Sequence, residues 1–383
     1  PSINALSGGE FRVDESGSAT YSMPLSLPAG IAGVKPELAF SYSSNSGDGY
    51  MGAGWGFAGA SAISRCPKNL AVDTVQGNVS FSASDRLCLN GQRLVRNGSS
   101  NDKAVTDAIY WSLSSQFHTE LDSFNLIRQH GAAGQGPRAL TVETRSGEIH
   151  YYGALTAVTG NDSTGRSLAL IAKSYGNVPE NGEDAFFDTS AGSNIARLWA
   201  LKAIKDVKGN YILFKYAEDQ VLGEHYLTEV HYTGRANGAA PFAKVVLNYV
   251  DNTKIAVGWQ AQKRVAMSKL LNTVDVLLDG AIYRQYRLNY FNSNVLEEKN
   301  YLLSIQECAD TGAGNCLPPT HFEWNRPPTV NVSYVTRCDN EPGVPQYCWQ
   351  EPVTDNYVPF EISYQIKGTS FDRYYQQLMD ING

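Results

Sequence analysis

Apolar and polar side chains alternate with a period of two along most of this chain, in short runs separated by Gly, Asp, Asn and Pro. That is the pattern of half-buried β-strands joined by tight turns. The clearest run lies at Leu38, Phe40 and Tyr42, interleaved with Ala39, Ser41 and Ser43. Before it, the pattern predicts strands over Glu10–Val13 and Ala19–Leu27, a turn at Glu15-Ser16-Gly17, and breaks at Pro28-Ala29-Gly30 and Gly33. After it, Asn90-Gly91 sits between alternating flanks and predicts a hairpin, because both residue types tolerate the positive φ of a type I′ turn. Arg145-Ser146-Gly147-Glu148 likewise separates the strands LTVET and IHYYG. Residues 156–193 are polar, glycine-rich and short of alternation; they are expected to be surface loops with one strand near Ser167–Ser174.

From Arg197 the pattern becomes a weak repeat: an apolar-alternating strand, a turn containing Asp or Gly-Asn, and a return strand ending in tyrosine. Trp199, Leu201 and Ile204 lead through Asp206, Gly209 and Asn210 to Tyr211–Tyr216. Tyr226–Tyr232 is matched to Ala243–Tyr249, and Leu271–Leu277 turns at Asp279-Gly280 into Tyr283–Tyr290, with Tyr301–Glu307 next. A lone hairpin cannot bury its apolar face, so stacking successive units into one sheet is the physical solution. Val257–Lys269 is the one stretch with a helical alternative, and it is read as strand or loop. The expected fold class is all-β, with successive antiparallel hairpins forming a large curved sheet.

Within this frame Gly47, Gly49, Gly52, Gly54 and Gly56 crowd around Trp55. Gly47–Gly52 formally matches the dinucleotide-binding spacing G-x-G-x-x-G, but that site needs a helix next. The following AGWGFAG carries three more glycines, each costing a helix about 1 kcal/mol relative to alanine. The stretch is therefore expected to be a bend in a β wall. Its glycines make room for backbone, Trp55 is buried against neighbouring strands, and Gly54→Val or Gly56→Val impairs folding.

Charged residues are only 18% of the chain and the net charge is −7. With no basic run to meet a phosphate backbone and no apolar stretch near the length of about eighteen residues that spans a bilayer, neither a nucleic-acid partner nor a membrane span is expected. The chain begins at Pro1 without a methionine, so a processed or trimmed N-terminus is expected, which leaves export open. The six cysteines fall as Cys66/Cys88, Cys308/Cys316 and Cys338/Cys348, without C-x-x-C spacing. Close pairs suggest local hairpin disulfides and an oxidising, secreted or extracellular location; the rival is six reduced core thiols, and sequence alone does not choose among the connectivities.

The string GGEFRVDESGSATYSMPLSLPAGIAGVKPELAFSYSSNSGDGYMGAGW resembles the opening of the SpvB/TcB N-terminal domain family, which includes toxin-complex B components and RHS/YD-repeat polymorphic toxins. The resemblance continues through ISRCP at Ile63, SDRLCLNGQRL at Ser84 and TELDSFNLI at Thr119, and closes with ECADTGAGNCLPPTHFEW at Trp324. It implies that the sheet is part of an RHS-like β-shell. Residues 1–326 are then the β domain, and 327–383, where proline and cysteine become frequent, are a connector. The last string, Leu378–Gly383, looks like the start of an FG-GAP or VCBS calcium loop that stops halfway. Asp380 and Asn382 would be its first ligands, and calcium is the one cofactor it suggests. The chain is then one piece of a longer protein.

Chemistry is harder to find. His225, Glu229 and His231 would share a strand face and could form a metal trio, although solvated strand residues fit the same spacing and no H-E-x-x-H pattern supports it. His118, His130, His150 and His321 are isolated. No G-x-S-x-G elbow is present, and no carboxylate pair stands out for glycoside hydrolysis. In the SpvB family ADP-ribosyl transfer belongs to a separate C-terminal domain whose Glu-x-Glu motif has no match here. The expectation is a non-catalytic structural and delivery module, whose partners are the rest of the polypeptide or an RHS-type subunit, and a toxic cargo encoded elsewhere. The alternative is a surface adhesion or glycan-binding module, since Trp and Tyr near Gly-rich loops can stack sugars.

Overall fold

The computed structural model describes residues 9–98, 106–132, 136–168, 185–188, 195–219, 222–235, 239–260, 263–291, 299–312, 314–324, 332–338 and 348–354. The expected loop strand near Ser167–Ser174 falls largely outside these residues, and Asp380 and Asn382 fall wholly outside them. The chain divides into two compact units, Pro1–Glu323 and Trp324–Gly383.

The first unit opens with a small antiparallel sheet. Strands β1 (Glu10–Val13), β2 (Ala19–Pro24) and β3 (Ala39–Ser43) pair in order. A two-residue hairpin of β4 (Asp48–Gly49) and β5 (Gly52–Ala53) then precedes β6 (Trp55–Ala58), which returns to β3. The glycine stretch is thus a hairpin and not a nucleotide loop. Trp55 is 3% exposed, its ring 4.7 Å from Phe322, 5.5 Å from Tyr42 and 6.1 Å from Tyr21.

Next come β7 (Ala62–Cys66), β8 (Arg86–Leu89), β9 (Gln92–Arg96), β10 (Gln116–Thr119), β11 (Leu126–His130), β12 (Ala139–Glu143) and β13 (Ile149–Gly153), each antiparallel to the one before. Asn90 (φ 49°) and Gly91 (φ 83°) make the tight β8–β9 turn. Two short helices, α1 (Leu70–Asp73) and α2 (Asp107–Tyr110), fill connections; Asn69 and Thr106 cap them by accepting N–H bonds from Val72 and Ile109. After β14 (Ala185–Asp188), strand β15 (Ile195–Lys205) is shared. Its residues 198–200 pair with β7, its residues 201–205 with β13, and β14 runs beside its first half. The path from β7 to β13 and back through β15 therefore closes into a ring of eight strands. Closure removes the free edges that an open sheet presents.

The last residues of β15 pair with β16 (Asn210–Asp219), and an antiparallel wall follows through β17 (Glu224–Arg235), β18 (Ala243–Gln260), β19 (Lys263–Leu278), β20 (Ala281–Tyr290), β21 (Leu302–Cys308) and β22 (Thr320–His321). Ring, wall and β14 together form one 16-stranded sheet among the described residues. Of 257–269, residues 257–260 belong to β18 and residues 263–269 to β19. The wall ends on a two-residue strand, and the chain after β21 folds back to cover that edge through hydrogen bonds from Leu317 and Phe322 to Glu307 and Leu303. In the second unit β23 (Val332–Cys338) and β24 (Cys348–Thr354) form a hairpin.

Disulfides join Cys66 to Cys88 and Cys308 to Cys316, each between neighbouring backbone segments, and the β23–β24 register sets Cys338 opposite Cys348.

The glycines divide into two groups. Gly54 has φ +72°, and a Cβ there would lie 2.5 Å from the Tyr42 ring and 2.9 Å from the Ser43 carbonyl. Gly52 has φ +85° with the Asn300 carbonyl 2.3 Å from a Cβ, and a Cβ on Gly49 would meet the Trp55 carbonyl at 2.6 Å. By contrast a Cβ at Gly47 meets nothing within 4 Å, and at Gly56 only Ser41 Oγ at 3.8 Å; neither residue occupies the left-handed region. Gly47 and Gly56 are therefore not required by the backbone, which corrects the expectation that all five are structural. Gly54→Val should cost about 2 kcal/mol or more, through strain and collision, whereas Gly56→Ala should stay within about 0.5 kcal/mol. Urea unfolding midpoints check this, and equal midpoints for the two variants would contradict it.

Candidate functional site

The tyrosines that end successive strands form a repeated device. Tyr152, Tyr216, Tyr249 and Tyr290 pair with Leu201, Leu227, Leu271 and Leu302 of the following strand, and immediately before each tyrosine the register slips by one residue. The extra residue lies on the following strand, at Lys202, Thr228, Asn272 and Leu303, so each junction is a β-bulge. A bulge interrupts the ladder and leaves backbone groups to be satisfied. Tyr216 donates its hydroxyl to the Leu201 carbonyl at 2.9 Å, Tyr249 to Leu227 at 2.7 Å and Tyr290 to Leu271 at 2.6 Å. Burial pushes the Tyr249 and Tyr290 hydroxyls well above their ordinary range, so both remain protonated donors.

Tyrosines also dock the small sheet on the wall. Tyr50 donates to the His225 carbonyl at 2.7 Å, with its ring against Tyr226 and Tyr249. Tyr232 donates to Pro28, and the Ser26 N–H donates to the Tyr286 oxygen at 2.7 Å. Two backbone bonds complete the seam: Ala53 N–H to Asn300 at 2.9 Å and Leu271 N–H to Tyr50 at 2.7 Å. These hydroxyls are committed to backbone partners, which favours packing over sugar stacking as the use of the aromatic residues. Trp55 and Trp199 are likewise buried.

The ring holds charges that its alternating pattern alone does not announce. Arg65 and Asp85 form a pair with fully buried side chains, NH1 to Oδ2 at 3.2 Å. Arg65 also donates to the Ala196 carbonyl at 2.7 Å and the Ser82 carbonyl at 3.0 Å, and lies 4.8 Å from the Trp111 ring centre and 5.7 Å from that of Trp199. Asp85 accepts from the Ser80 and Ser82 N–H groups. Burial pulls the Arg65 pKa below its usual value, while Asp85 pushes back. Asp73 accepts from Arg86 at 3.0 Å and Arg93 at 2.5 Å, and joins α1 to the β8–β9 hairpin. The signal for these pairs was present in ISRCP and SDRLCLNGQRL, where charges fall inside apolar strand runs.

The metal trio that the spacing allowed does not assemble, in line with the solvated-strand reading. Glu229 accepts from His231 at 2.6 Å and from Lys215 at 2.9 Å, whereas His225 lies beside Arg197 at 3.4 Å. The bulge at Thr228 shifts the alternation by one residue and puts His225 on the opposite face from Glu229 and His231. Among the described residues no group of three or more His, Cys, Asp or Glu side chains could hold a metal ion. Burial would raise the Glu229 pKa, but its hydrogen bonds from His231 and Lys215 outweigh it and hold the carboxyl at about 2.

Burial, with help from Arg197, lowers the His225 pKa to about 3, and burial with Arg128 lowers that of His130 to about 4. Both native pKa values lie below the unfolded value of 6.5, so the unfolded chain takes up protons first. Their stabilising contribution is complete above pH 6.5 and is lost as pH falls toward 4, by about 1.4 kcal/mol per pH unit for each group. His130→Gln should remove its share of the slope when urea midpoints are compared at about pH 7 and 5; an unchanged slope would refute the assignment.

Removing one partner of the buried pair, as in Arg65→Met or Asp85→Asn, should cost about 3–5 kcal/mol, and Arg65→Met with Asp85→Leu should cost less than either alone. Arg12→Met, at the exposed Glu10 pair, should cost under about 0.5 kcal/mol. Denaturant titration of the four variants would decide, and a double variant worse than both singles would contradict the reading.

Residues 13–157 match the sequence model of the family described as Salmonella virulence plasmid 65kDa B protein, SpvB. No curated protein matches the chain in sequence. Among solved structures, the TcdB2-TccC3 crystal structure matches 87% of this chain with 16% identity and a TM-score of 0.58. The Photorhabdus luminescens Tc holotoxin pore matches 88%, with 15% identity and a TM-score of 0.57. The N-terminal domain of effector protein SpvB from Salmonella typhimurium strain LT2 matches 75% of this chain and 98% of its own length, with 17% identity and a TM-score of 0.52. Against TcdB2-TccC3 the chain spans 17% of that polypeptide's length. At such identities the structural likeness is one of fold, an all-β shell architecture. Residues 13–157 thus carry the sequence signature of the SpvB family, and the fold over most of the chain is similar to that of the SpvB N-terminal domain and of TcdB2-TccC3.

Proposed function

We propose that this chain is a non-catalytic wall-building module of a secreted toxin complex, helping to enclose or present a toxic segment encoded elsewhere. The observation that carries this reading is the sheet itself: an eight-strand ring continuous with a wall whose bulges are sealed by tyrosine hydroxyls. A container for a partly unfolded cargo needs a hydrogen-bonded sheet without accessible edges, since free edges would pair with the cargo. The fold shared with TcdB2-TccC3 and the Tc holotoxin pore supports the same role. Residues 1–326 would supply wall and 327–383 the connection to the rest of the polypeptide. The partners are that remainder or an RHS-type subunit, together with the cargo. The disulfides of the first unit fit an oxidising, extracellular location.

The test uses the full natural protein carrying its cargo segment. Protease should digest the enclosed segment far more slowly than the same segment free in solution. Combining Tyr216→Phe, Tyr249→Phe and Tyr290→Phe should cost about 1 kcal/mol per hydroxyl and speed cargo digestion. Cargo cleaved equally fast inside and outside the complex would defeat the wall reading.

A further inference from the structure

The last long strand of the wall is fastened by a covalent bolt. Beyond β21 the chain turns and runs back as a strap, residues 316–322, along the edge of β21 that faces away from β20. The strap holds by few contacts. β22 sets Thr320 and His321 opposite Ile305 and Ser304, the Leu317 and Phe322 N–H groups donate to the Glu307 and Leu303 carbonyls at 2.8 Å each, and the Gln306 amide donates to the Leu317 carbonyl at 3.0 Å. No residue of 316–322 is buried, and Leu317 is 47% exposed. A segment with so little buried surface opens locally at small cost unless something else restrains it.

That restraint is the disulfide from Cys308, the last residue of β21, to Cys316, the first of the strap. Cys308 is 1% exposed, whereas Cys316 is only half-buried, so an incoming thiolate reaches Cys316 first. The disulfide of the ring is placed differently: β7 lies between β8 and β15, and β8 between β7 and β9, so breaking Cys66–Cys88 leaves both strands flanked on either side. The strap also carries Phe322, whose ring lies 4.7 Å from Trp55 and 5.9 Å from Tyr21 and joins the end of the wall to the N-terminal sheet.

We propose that Cys308–Cys316 is a thiol-sensitive bolt, closed in an oxidising compartment and cut where small thiols such as glutathione are abundant, and that cutting it frees the strap and bares the edge of β21. A thiolate attacks Cys316 Sγ, the S–S bond breaks, and Cys308 leaves as a thiolate that takes up a proton. A second small thiol then attacks the mixed disulfide and releases Cys316. Two protein thiols form while the two small thiols become one disulfide, so the electrons balance. The bared edge offers backbone N–H and C=O groups for pairing with another strand, and Trp55 loses the ring of Phe322. The device needs no cargo and is independent of the wall reading.

Hydrogen exchange of the 383-residue chain, measured with and without reduced glutathione, tests it, with maleimide alkylation reporting which cysteines are reduced. Cys308 and Cys316 should be alkylated before Cys66 and Cys88. The Leu317 and Phe322 amides should then exchange about tenfold faster or more, while those of Leu140 and Val142, buried in β12, stay unchanged. Cys308→Ser with Cys316→Ser should show the same acceleration without thiol, and glutathione should add nothing to it at the strap. The proposal is overturned if Cys308 and Cys316 resist glutathione or follow Cys66 and Cys88, if the strap amides do not change on reduction, or if Leu140 and Val142 accelerate along with them, which would make the bridge a general staple of the fold.

Discussion

A β-strand has two edges, and in the larger unit the eleven residues of β15 divide theirs among four neighbours. β7, β13, β14 and β16 each take part of its length, so the ring closes and the wall begins on the same strand. Its side chains reflect this double duty. Trp199 is buried against Arg65 and donates its indole N–H to the Pro137 carbonyl at 2.9 Å. Leu201, two residues on, pairs with Tyr152 and lends its carbonyl to Tyr216. Register errors in β15 would therefore propagate into both halves, because every residue slip moves side chains to the wrong face.

The bulges follow from the same geometry. A continuous wall that curves must shed register somewhere, and in the pairings β16–β17, β18–β19 and β20–β21 one such slip sits next to a tyrosine. Phenol suits the task because it is rigid, apolar along its length and polar only at the tip; it crosses the packed face and delivers a donor to a carbonyl on the preceding strand. The same chemistry fastens the N-terminal sheet, where Tyr50, Tyr232 and Tyr286 exchange hydrogen bonds with backbone far away in sequence. The wall is thus sealed and the N-terminal sheet attached by one type of contact.

Much of this was legible beforehand. The alternating runs located most strands of the wall, Asn90-Gly91 turned where its φ preference dictates, and the tyrosines at strand ends marked the repeat. What they could not show is that the register slips beside them. That is why the shared face suggested by the His225, Glu229 and His231 spacing does not form: alternation counted along an unbroken strand fails across Thr228. Glycine density was similarly ambiguous, because Gly54 and Gly56 look alike in sequence, and only the Tyr42 ring and Ser43 carbonyl distinguish them.

The sequence by itself determined the local terms: strand periodicity, turn residues and cysteines close enough to bridge neighbouring segments, since each depends on residues a few positions apart. The tertiary structure alone decided the return of β13 to β15, the burial of Arg65 with Asp85, and which backbone carbonyl each tyrosine reaches. These rest on contacts between residues tens to hundreds of positions apart, where many pairings satisfy the local pattern and only simultaneous hydrogen bonding and packing select one.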